Sequence, residues 1–292
     1  MADRAIDVLL LSVGADLPYF SGYEATPLER LTLLVVPADE QARLLVPMLE
    51  VPRVRERPEA FELVPWEDSE DPIAKAVSLI GRPDLAAVGD QMWSGFLLDL
   101  THALPATRFI RASEITAPLR SVKDSSEVEA LRAAGVAVDR IAADLQAGAV
   151  SLVGRAESDV AAEIGRRILD EGHHRINFVI VASGENSASP HHEPGSRVIQ
   201  AGEVVLFDFG GTMADSIGVG YCSDITRCIH VGEPSTELSE LYELLLVSQQ
   251  AGIEAVRVGE SCEKVDATTR SIIEAAGYGQ YFIHRTGHGI GV

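Results

Sequence analysis

Two aspartates interrupt runs of strand-forming residues in the second half of the chain. Asp208 lies in VVLFDFGG, a run typical of a strand buried on both faces, and Asp224 lies in YCSDITRC, which is rich in β-forming residues. A carboxylate inside an apolar strand costs desolvation free energy unless a cation or hydrogen bonds compensate it. Two such carboxylates on successive strands indicate one shared compensating group. A divalent metal ion is the simplest candidate.

Side-chain alternation strengthens this interpretation. Residues two apart in a strand share a face, so Asp208 points the same way as Val204 and Leu206. If the connection returns the chain antiparallel, Asp224 faces Asp208 across the pair of strands. The alternative is that one aspartate caps a turn and the other pairs with Arg227. Buried acids without partners are rare, which favours the shared metal.

Two histidines near the carboxyl end extend the candidate site. His284 and His288 lie four residues apart in YFIHRTGHGIGV, so a strand or a helix would place both on one face. The preceding aromatic and β-branched residues and the glycines after them favour a strand. Arg285 follows the first histidine, so the motif is not HExxH, which argues against the helical site of zinc proteases. A single histidine on a strand is more often a core residue, but two beside two buried acids favour a site.

These motifs occur in the order found in a known enzyme family. DFG, GYCSDITR and HRTGHGIG, with VASGENSASPHH and RSVKDSSEVEALRAAG before them, resemble the metallopeptidases that include Xaa-Pro aminopeptidases and Xaa-Pro dipeptidases (prolidases). Methionine aminopeptidase and creatinase belong to the same family, which shares the pita-bread fold. The resemblance covers most of the chain, and it is weak before about Pro118 and strong after it.

The resemblance implies a role for each matching residue. Asp208 would bind one of two divalent ions (Mn, Co or Zn), Asp224 would bridge both ions, and His288 would bind one of them. His191 and His284 would line the substrate pocket and hydrogen-bond the peptide. The water between the ions would attack the bond between an amino-terminal residue and proline. The implied partner is therefore a peptide with proline at its second position, and the implied assembly is a homodimer.

The loop GENSASPHHEPGSR holds a histidine pair, His191 and His192, among turn-forming residues. Loops often carry functional side chains, but an exposed, pH-sensitive surface patch is an equally good interpretation of this pair from sequence alone. The resemblance favours His191 over His192.

The sequence departs from the family pattern in two places. Sixteen positions separate Asp208 from Asp224, more than in the usual hairpin, so we expect a longer turn in which Asp215 faces solvent. The family also has two glutamate ligands after the second histidine of this motif, whereas this sequence ends at Val292. Two aspartates and one neutral histidine balance only half the charge of two divalent ions. We therefore expect a truncated form that binds metal weakly or not at all.

Two other functions share the same expected architecture. One is a metal-free amidinohydrolase of the creatinase kind, in which histidine serves as the acid–base group. The other is a non-catalytic binding protein that retains the fold. The presence of both aspartates at the ligand positions favours the metallopeptidase.

The amino-acid composition limits the classes of binding partner and the cellular compartment that we expect for the protein. The 292 residues are 46% hydrophobic, enough for a globular core, and carry a formal net charge of −20. This charge argues against nucleic acid and anionic membranes, which require clustered Lys and Arg. The chain shows no signal peptide and no apolar stretch of membrane-spanning length. Its three cysteines lack CxxC spacing, so we expect reduced thiols and a cytoplasmic protein.

The pattern of elements predicts an α+β protein with two domains. Residues 1–118 read as a layered α/β domain, with strands in IDVLLLSV, RLTLLVVPA, LAAVGD and FIRASEIT and helices in DPIAKAVSLIG and QMWSGFLLDLTHAL. Residues 119–292 read as a pita-bread catalytic domain, expected to lack its last strands.

Several elements of the second domain can also be predicted. Ser126 and Glu129 have the spacing of a capping box at the start of its first helix, with Asp124 as a competing cap. A second helix from Glu157 to Glu171 should bury Val160, Ile164 and Ile168. INFVIVAS follows as a buried strand. Two later helices, in STELSELYELLLVSQQAGIEAVRVG and CEKVDATTRSIIEAAGYG, are expected to cover one curved antiparallel sheet.

Overall fold

The structure is a computed structural model that describes residues 1, 4–215 and 218–292. Over these residues the first half of the chain forms a six-stranded mixed sheet in the order β4-β3-β2-β1-β5-β6. Its strands are β1 (Val8–Leu11), β2 (Leu33–Pro37), β3 (Ala42–Pro47), β4 (Phe61–Trp66), β5 (Leu85–Val88) and β6 (Arg108–Arg111), and its helices are α1 (Asp16–Ser21), α2 (Pro72–Ile80), α3 (Ser94–Ala103) and α4 (Ser113–Ser121).

Most of the predicted amino-terminal elements are confirmed. The expected strands appear as β1, β2 and β5, and the expected helices appear as α2 and α3. Asp71 caps α2 by accepting hydrogen bonds from two backbone N–H groups, and Gly81 ends it with φ 75°. β3 and β4 were not predicted. The strand predicted in FIRASEIT is only partly correct, because α4 begins at Ser113.

Helix α4 runs across the predicted domain boundary between residues 118 and 119. It contacts α1, since Thr116 Oγ1 lies 3.1 Å from Asp16 Oδ2 and Arg120 Nη1 lies 2.9 Å from Asp16 Oδ1. The division into 1–118 and 119–292 remains a prediction.

The second half of the chain contains an antiparallel sheet in the order β10-β8-β7, with a short β9 paired to the far end of β8. Its strands are β7 (Arg175–Ser183), β8 (Val204–Ala214), β9 (Gly220–Cys222) and β10 (Ile225–His230), and its helices are α5 (Ser125–Gln146), α6 (Glu157–Asp170), α7 (Thr236–Ala255) and α8 (Cys262–Ala275). No helix among the described residues is both long enough and apolar enough to span a bilayer.

Helices α5 and α6 cover one face of this sheet. The core between them and β8 contains the three predicted α6 residues, all fully buried, together with Phe207 and Phe209. Those three residues are Val160, Ile164 and Ile168. The α5 cap is Asp124 rather than Ser126, because Asp124 Oδ1 accepts from Glu127 N at 2.9 Å and Glu127 Oε2 accepts from Asp124 N at 2.8 Å. The capping box predicted at Ser126 and Glu129 is therefore wrong.

The prediction that the last two helices cover the sheet is wrong. α7 and α8 pack against each other, with Ser248 Oγ donating to the Thr269 carbonyl at 3.0 Å. A Cβ at Gly252 would lie 2.5 Å from Thr269 Oγ1, so the helices approach closely at this glycine. The period of apolar residues identified both helices but not the surface that they contact.

The strand predicted around His284 and His288 is also wrong. After a 3₁₀ turn at Gly279–Tyr281 the described chain has no regular structure. Gly287 has φ 81°, which interrupts an extended strand. Side chains of α8, instead of a neighbouring strand, hydrogen-bond the backbone of this segment. Arg270 donates to the carbonyls of Phe282 (2.7 Å) and His284 (2.8 Å), and Asp266 Oδ1 accepts from Thr286 N at 2.8 Å.

We expect Gly210→Ala to destabilise the protein by about 1–3 kcal/mol, because a Cβ at this point in β8 would lie 2.0 Å from the carbonyl oxygen of Ser223. Urea unfolding at neutral pH measures the change. Gly135→Ala in α5 is the matched control, since nothing lies within 4 Å of its added Cβ. Equal stability of the two variants would contradict the close approach at Gly210.

Candidate active site

Asp208 lies at the centre of the second sheet, paired with Ile180 of β7 on one side and Thr226 of β10 on the other. Strand β8 buries alternate residues, Val205, Phe207 and Phe209, so Asp208 lies on the opposite, half-buried face. The prediction that this strand is buried on both faces is wrong, whereas the predicted shared face of Val204, Leu206 and Asp208 is confirmed. Thr226 Oγ1 donates to Asp208 Oδ1 at 2.8 Å.

Burial is the main cause that raises the pKa of Asp208 above its ordinary value. The nearby Asp224 carboxylate raises it further, while the Thr226 hydrogen bond and the neighbouring His191 and His288 oppose the shift. The two negative charges of Asp208 and Asp224 would together favour binding of a cation between them.

Asp224 lies in the break between β9 and β10, where the chain crosses closely over Gly210 of β8. The preceding residue, Ser223, points to the opposite, buried face. Its hydroxyl lies 2.8 Å from Nε2 of buried His173 and accepts from Gly211 N at 3.1 Å. His173 Nδ1 lies 3.2 Å from the Ile168 carbonyl, and burial lowers the pKa of this histidine. These hydrogen bonds anchor the residue beside Asp224.

His288 contacts Asp224 although the two do not lie on regular strands. The His288 Nε2 atom lies 3.2 Å from Asp224 Oδ2, with 56% of the histidine side chain and 29% of the aspartate side chain exposed. The structure therefore brings one predicted histidine to the aspartates by an irregular segment rather than by strand pairing.

A cleft of about 450 Å³ gathers most of the predicted site. It is lined by Phe178, Val179, Ile180, His191, His192, Glu193, Pro194, Asp208, Asp224 and His288. Acidic and imidazole groups share it with an apolar wall from β7 and Pro194. It therefore combines groups for binding a cation with a surface for an apolar side chain.

His284 is the predicted site residue that the structure does not bring into this cleft. Its ring packs edge-on against Phe282, with 4.8 Å between centroids, and its Nδ1 lies 2.9 Å from the Arg285 carbonyl. The expectation that His284 and His288 share one face failed because the segment between them is not a strand.

The donor types in the cleft suit a divalent ion, since carboxylate oxygens and imidazole nitrogen bind Mn, Co and Zn. Asp224 and His288 are already paired, and Asp208 lies close enough to influence them electrostatically. Within residues 4–215 and 218–292, however, no three His, Cys, Asp or Glu side chains are arranged as a metal-binding group. The atoms of Asp208, Asp224 and His288 are therefore of the types that bind such an ion. One oxygen of Asp208 already accepts a hydrogen bond from Thr226.

The longer turn between the two aspartates is only partly described, because Ser216 and Ile217 lie outside the described residues. Asp215 Oδ1 accepts from Val219 N at 2.8 Å, so this carboxylate caps the turn, away from the cleft-lining residues.

A buried carboxylate beside the cleft was missed from the sequence. Glu157 is fully buried at the first residue of α6, and it accepts hydrogen bonds from Ser183 N (2.7 Å), Ser183 Oγ (2.7 Å), Asn186 Nδ2 (3.0 Å) and His192 Nε2 (2.8 Å). Burial alone would raise the pKa of Glu157, but these donors lower it to about 2. The sequence marks Glu157 only as a helix start, since its partners come from a distant loop.

Comparison with known proteins decides the family. The model of metallopeptidase family M24 matches residues 128–292, and that of the creatinase/prolidase amino-terminal domain matches residues 1–122. The chain belongs to the M24 metallopeptidase family. The resemblance drawn from the motifs is thus confirmed, as is the α+β class with an amino-terminal domain before a pita-bread catalytic domain.

Individual M24 relatives cover nearly the whole chain. The probable dipeptidase PepE of Mycobacterium tuberculosis is 39% identical over 295 residues, which span all of this chain and 77% of that protein. The crystal structure of a prolidase from Thermococcus sibiricus matches with 34% identity and a TM-score of 0.90, over 99% of this chain and 78% of that one. An Xaa-Pro dipeptidase from Bacillus anthracis matches with 31% identity and a TM-score of 0.80, over 99% and 79%.

We expect Glu157→Gln to lower the free energy of unfolding by about 1.5–3 kcal/mol at pH 7, because it removes the charge that accepts these hydrogen bonds. The folded-state pKa of about 2 lies below the ordinary value of 4.5. The stabilisation is therefore complete above pH 4.5 and is lost as the pH falls towards 2. Urea unfolding of both proteins from pH 7 downwards measures this difference. A difference that does not change with pH would show that the charge of Glu157 contributes nothing.

Proposed function

We propose that this M24 protein is a metal-dependent exopeptidase that hydrolyses the bond between an amino-terminal residue and proline. The observation that carries the proposal is the meeting of Asp208, Asp224, His191 and His288 in one cleft. The relatives named dipeptidase, prolidase and Xaa-Pro dipeptidase support the substrate class.

Asp208, Asp224 and His288 would hold the metal, which we propose to be two divalent ions of Mn, Co or Zn. Bound ions of this kind lower the pKa of water and stabilise negative charge that develops on a carbonyl oxygen. Thr226 orients the Asp208 carboxylate, and the close approach at Gly210 sets the position of Asp224. These protein contacts hold the two carboxylates towards one volume.

The remaining lining residues suit a short peptide with proline. Phe178, Ile180 and Pro194 supply an apolar surface for the proline ring, and burial of this surface would contribute to substrate binding. His191 is the residue that we propose to hydrogen-bond the substrate. The same role for His284 remains a prediction that requires movement of the segment around Arg285.

The location and the assembly remain proposals. Cys222, Cys228 and Cys262 are all free thiols, which supports a reducing compartment such as the cytoplasm. We also retain the homodimer, which light scattering of the purified protein would test.

We expect Asp224→Asn to lower both metal affinity and hydrolysis of an Xaa-Pro dipeptide by about 100-fold or more, because it removes a charge from the metal-holding group. Calorimetric titration of the chelated protein with Mn²⁺ measures the first effect, and release of free proline measures the second. Asp99→Asn, on an exposed position of α3, is the matched control and should change neither.

Two outcomes would contradict the proposal and separate its alternatives. Hydrolysis that survives complete chelation would favour a metal-free hydrolase of the creatinase kind. Absence of turnover with every Xaa-Pro peptide and every metal, both in this chain and in a version extended at its carboxyl end, would favour a binding protein. A dipeptidase and an aminopeptidase differ in the same assay, since only the aminopeptidase cleaves longer Xaa-Pro peptides.

A further inference from the structure

Glu157 is a fully buried charge that the proposed reaction does not use. Removing a carboxylate from water costs several kcal/mol unless its partners compensate the loss. Every donor to Glu157 comes from the end of β7 or from the loop that follows it, which carries the histidine pair. The charge therefore lies where it can hold that loop in place.

The backbone fixes the same loop at its far end. Glu157 N donates to the Arg197 carbonyl at 2.9 Å, and Ser158 N donates to the Gly195 carbonyl at 3.0 Å. With Asn186 bound to the Glu157 carboxylate, the loop is attached to the start of α6 on both sides of His192. His192 thus lies in the middle of a segment whose two ends are held by one helix terminus.

The Glu157 contact also determines which nitrogen of His192 carries a proton. An ionised carboxylate only accepts hydrogen bonds, so His192 Nε2, which lies 2.8 Å from Glu157 Oε2, must be the donor. In an uncharged imidazole with a proton on Nε2, Nδ1 is an acceptor, and within the described residues the Nδ1 atom of His192 has no hydrogen-bond partner. His192 lines the cleft, and 19% of its side chain is exposed.

We propose that Glu157 is a positioning residue that acts through His192, fixing the Nε2–H tautomer so that Nδ1 accepts a hydrogen bond from an N–H group of the peptide substrate. The inference rests on the proposed peptidase function and adds His192 to the histidines proposed to bind the substrate. A contrasting pair shows what is specific here. His174 Nε2 lies 3.6 Å from Glu24 Oε2, both side chains are nearly half exposed, and neither lines the cleft.

The tautomer can be measured without any turnover. Long-range ¹H–¹⁵N spectra of histidine-labelled protein at about pH 8 distinguish the two ring nitrogens of a neutral imidazole. The ring signals that are absent from the His192→Gln spectrum identify those of His192. We expect these signals to show a single Nε2–H tautomer in the native chain and a mixture of tautomers in Glu157→Gln. Glu24→Gln is the matched control and should leave His192 unchanged. An Nδ1–H tautomer in the native chain would overturn the proposal even if Glu157→Gln fails to fold.

Kinetics test whether the two residues act as a unit. With an Xaa-Pro dipeptide, we expect Glu157→Gln and His192→Gln each to lower kcat/KM about tenfold, mainly through KM, and the double variant to be no worse than either one. Additive losses would show that Glu157 acts only through stability, and would overturn the proposal. If neither this chain nor a version extended at its carboxyl end hydrolyses a dipeptide, the proposed function fails while the tautomer measurement still decides this inference.

Discussion

The close crossing of the chain over Gly210 is the constraint on which the site depends. Two carboxylates of like charge must face one cleft, one from β8 and the other from the break between β9 and β10. These two stretches of chain must approach more closely than a side chain at position 210 would permit. A Cβ at Gly210 would lie 2.0 Å from the Ser223 carbonyl oxygen and 3.2 Å from the Asp224 Cα atom. Because residue 210 is a glycine, the backbone at Asp224 can lie directly against β8. Both aspartate side chains then line the same cleft.

This arrangement has an electrostatic cost that the protein relieves only in part. Burial and the neighbouring Asp224 both raise the pKa of Asp208, so its charged form is disfavoured. The Thr226 hydroxyl provides one compensating hydrogen bond. A cation bound between these two acids would offset this cost. Functional sites often keep such unfavourable groups together although they reduce the stability of the fold.

Local chemistry could be predicted from the sequence, and distant partners could not. Asp208 was found because an acid in a run of β-formers is conspicuous, and its face followed from simple alternation. Glu157 was missed because its four donors come from Ser183, Asn186 and His192, which no sequence period connects to a helix start. The predictions of the surface that α7 contacts and of a strand around His284 and His288 failed for the same reason. Both features depend on which distant residues pack against these segments.

The segment that carries His288 illustrates how such long-range contacts replace secondary structure. On one side, Arg270 and Asp266 of α8 bind the backbone at Phe282, His284 and Thr286.

On the other side, the Gly291 carbonyl accepts from Cys222 N at 2.8 Å, and the Val292 carbonyl accepts from Arg120 Nη2 at 2.6 Å. Arg120 in turn binds Asp16, the first residue of α1. His288 therefore lies on a segment anchored both to α8 and, through Arg120 of α4, to α1. Because the backbone polar groups at both ends of the segment are satisfied, an irregular segment can hold an imidazole within 3.2 Å of Asp224.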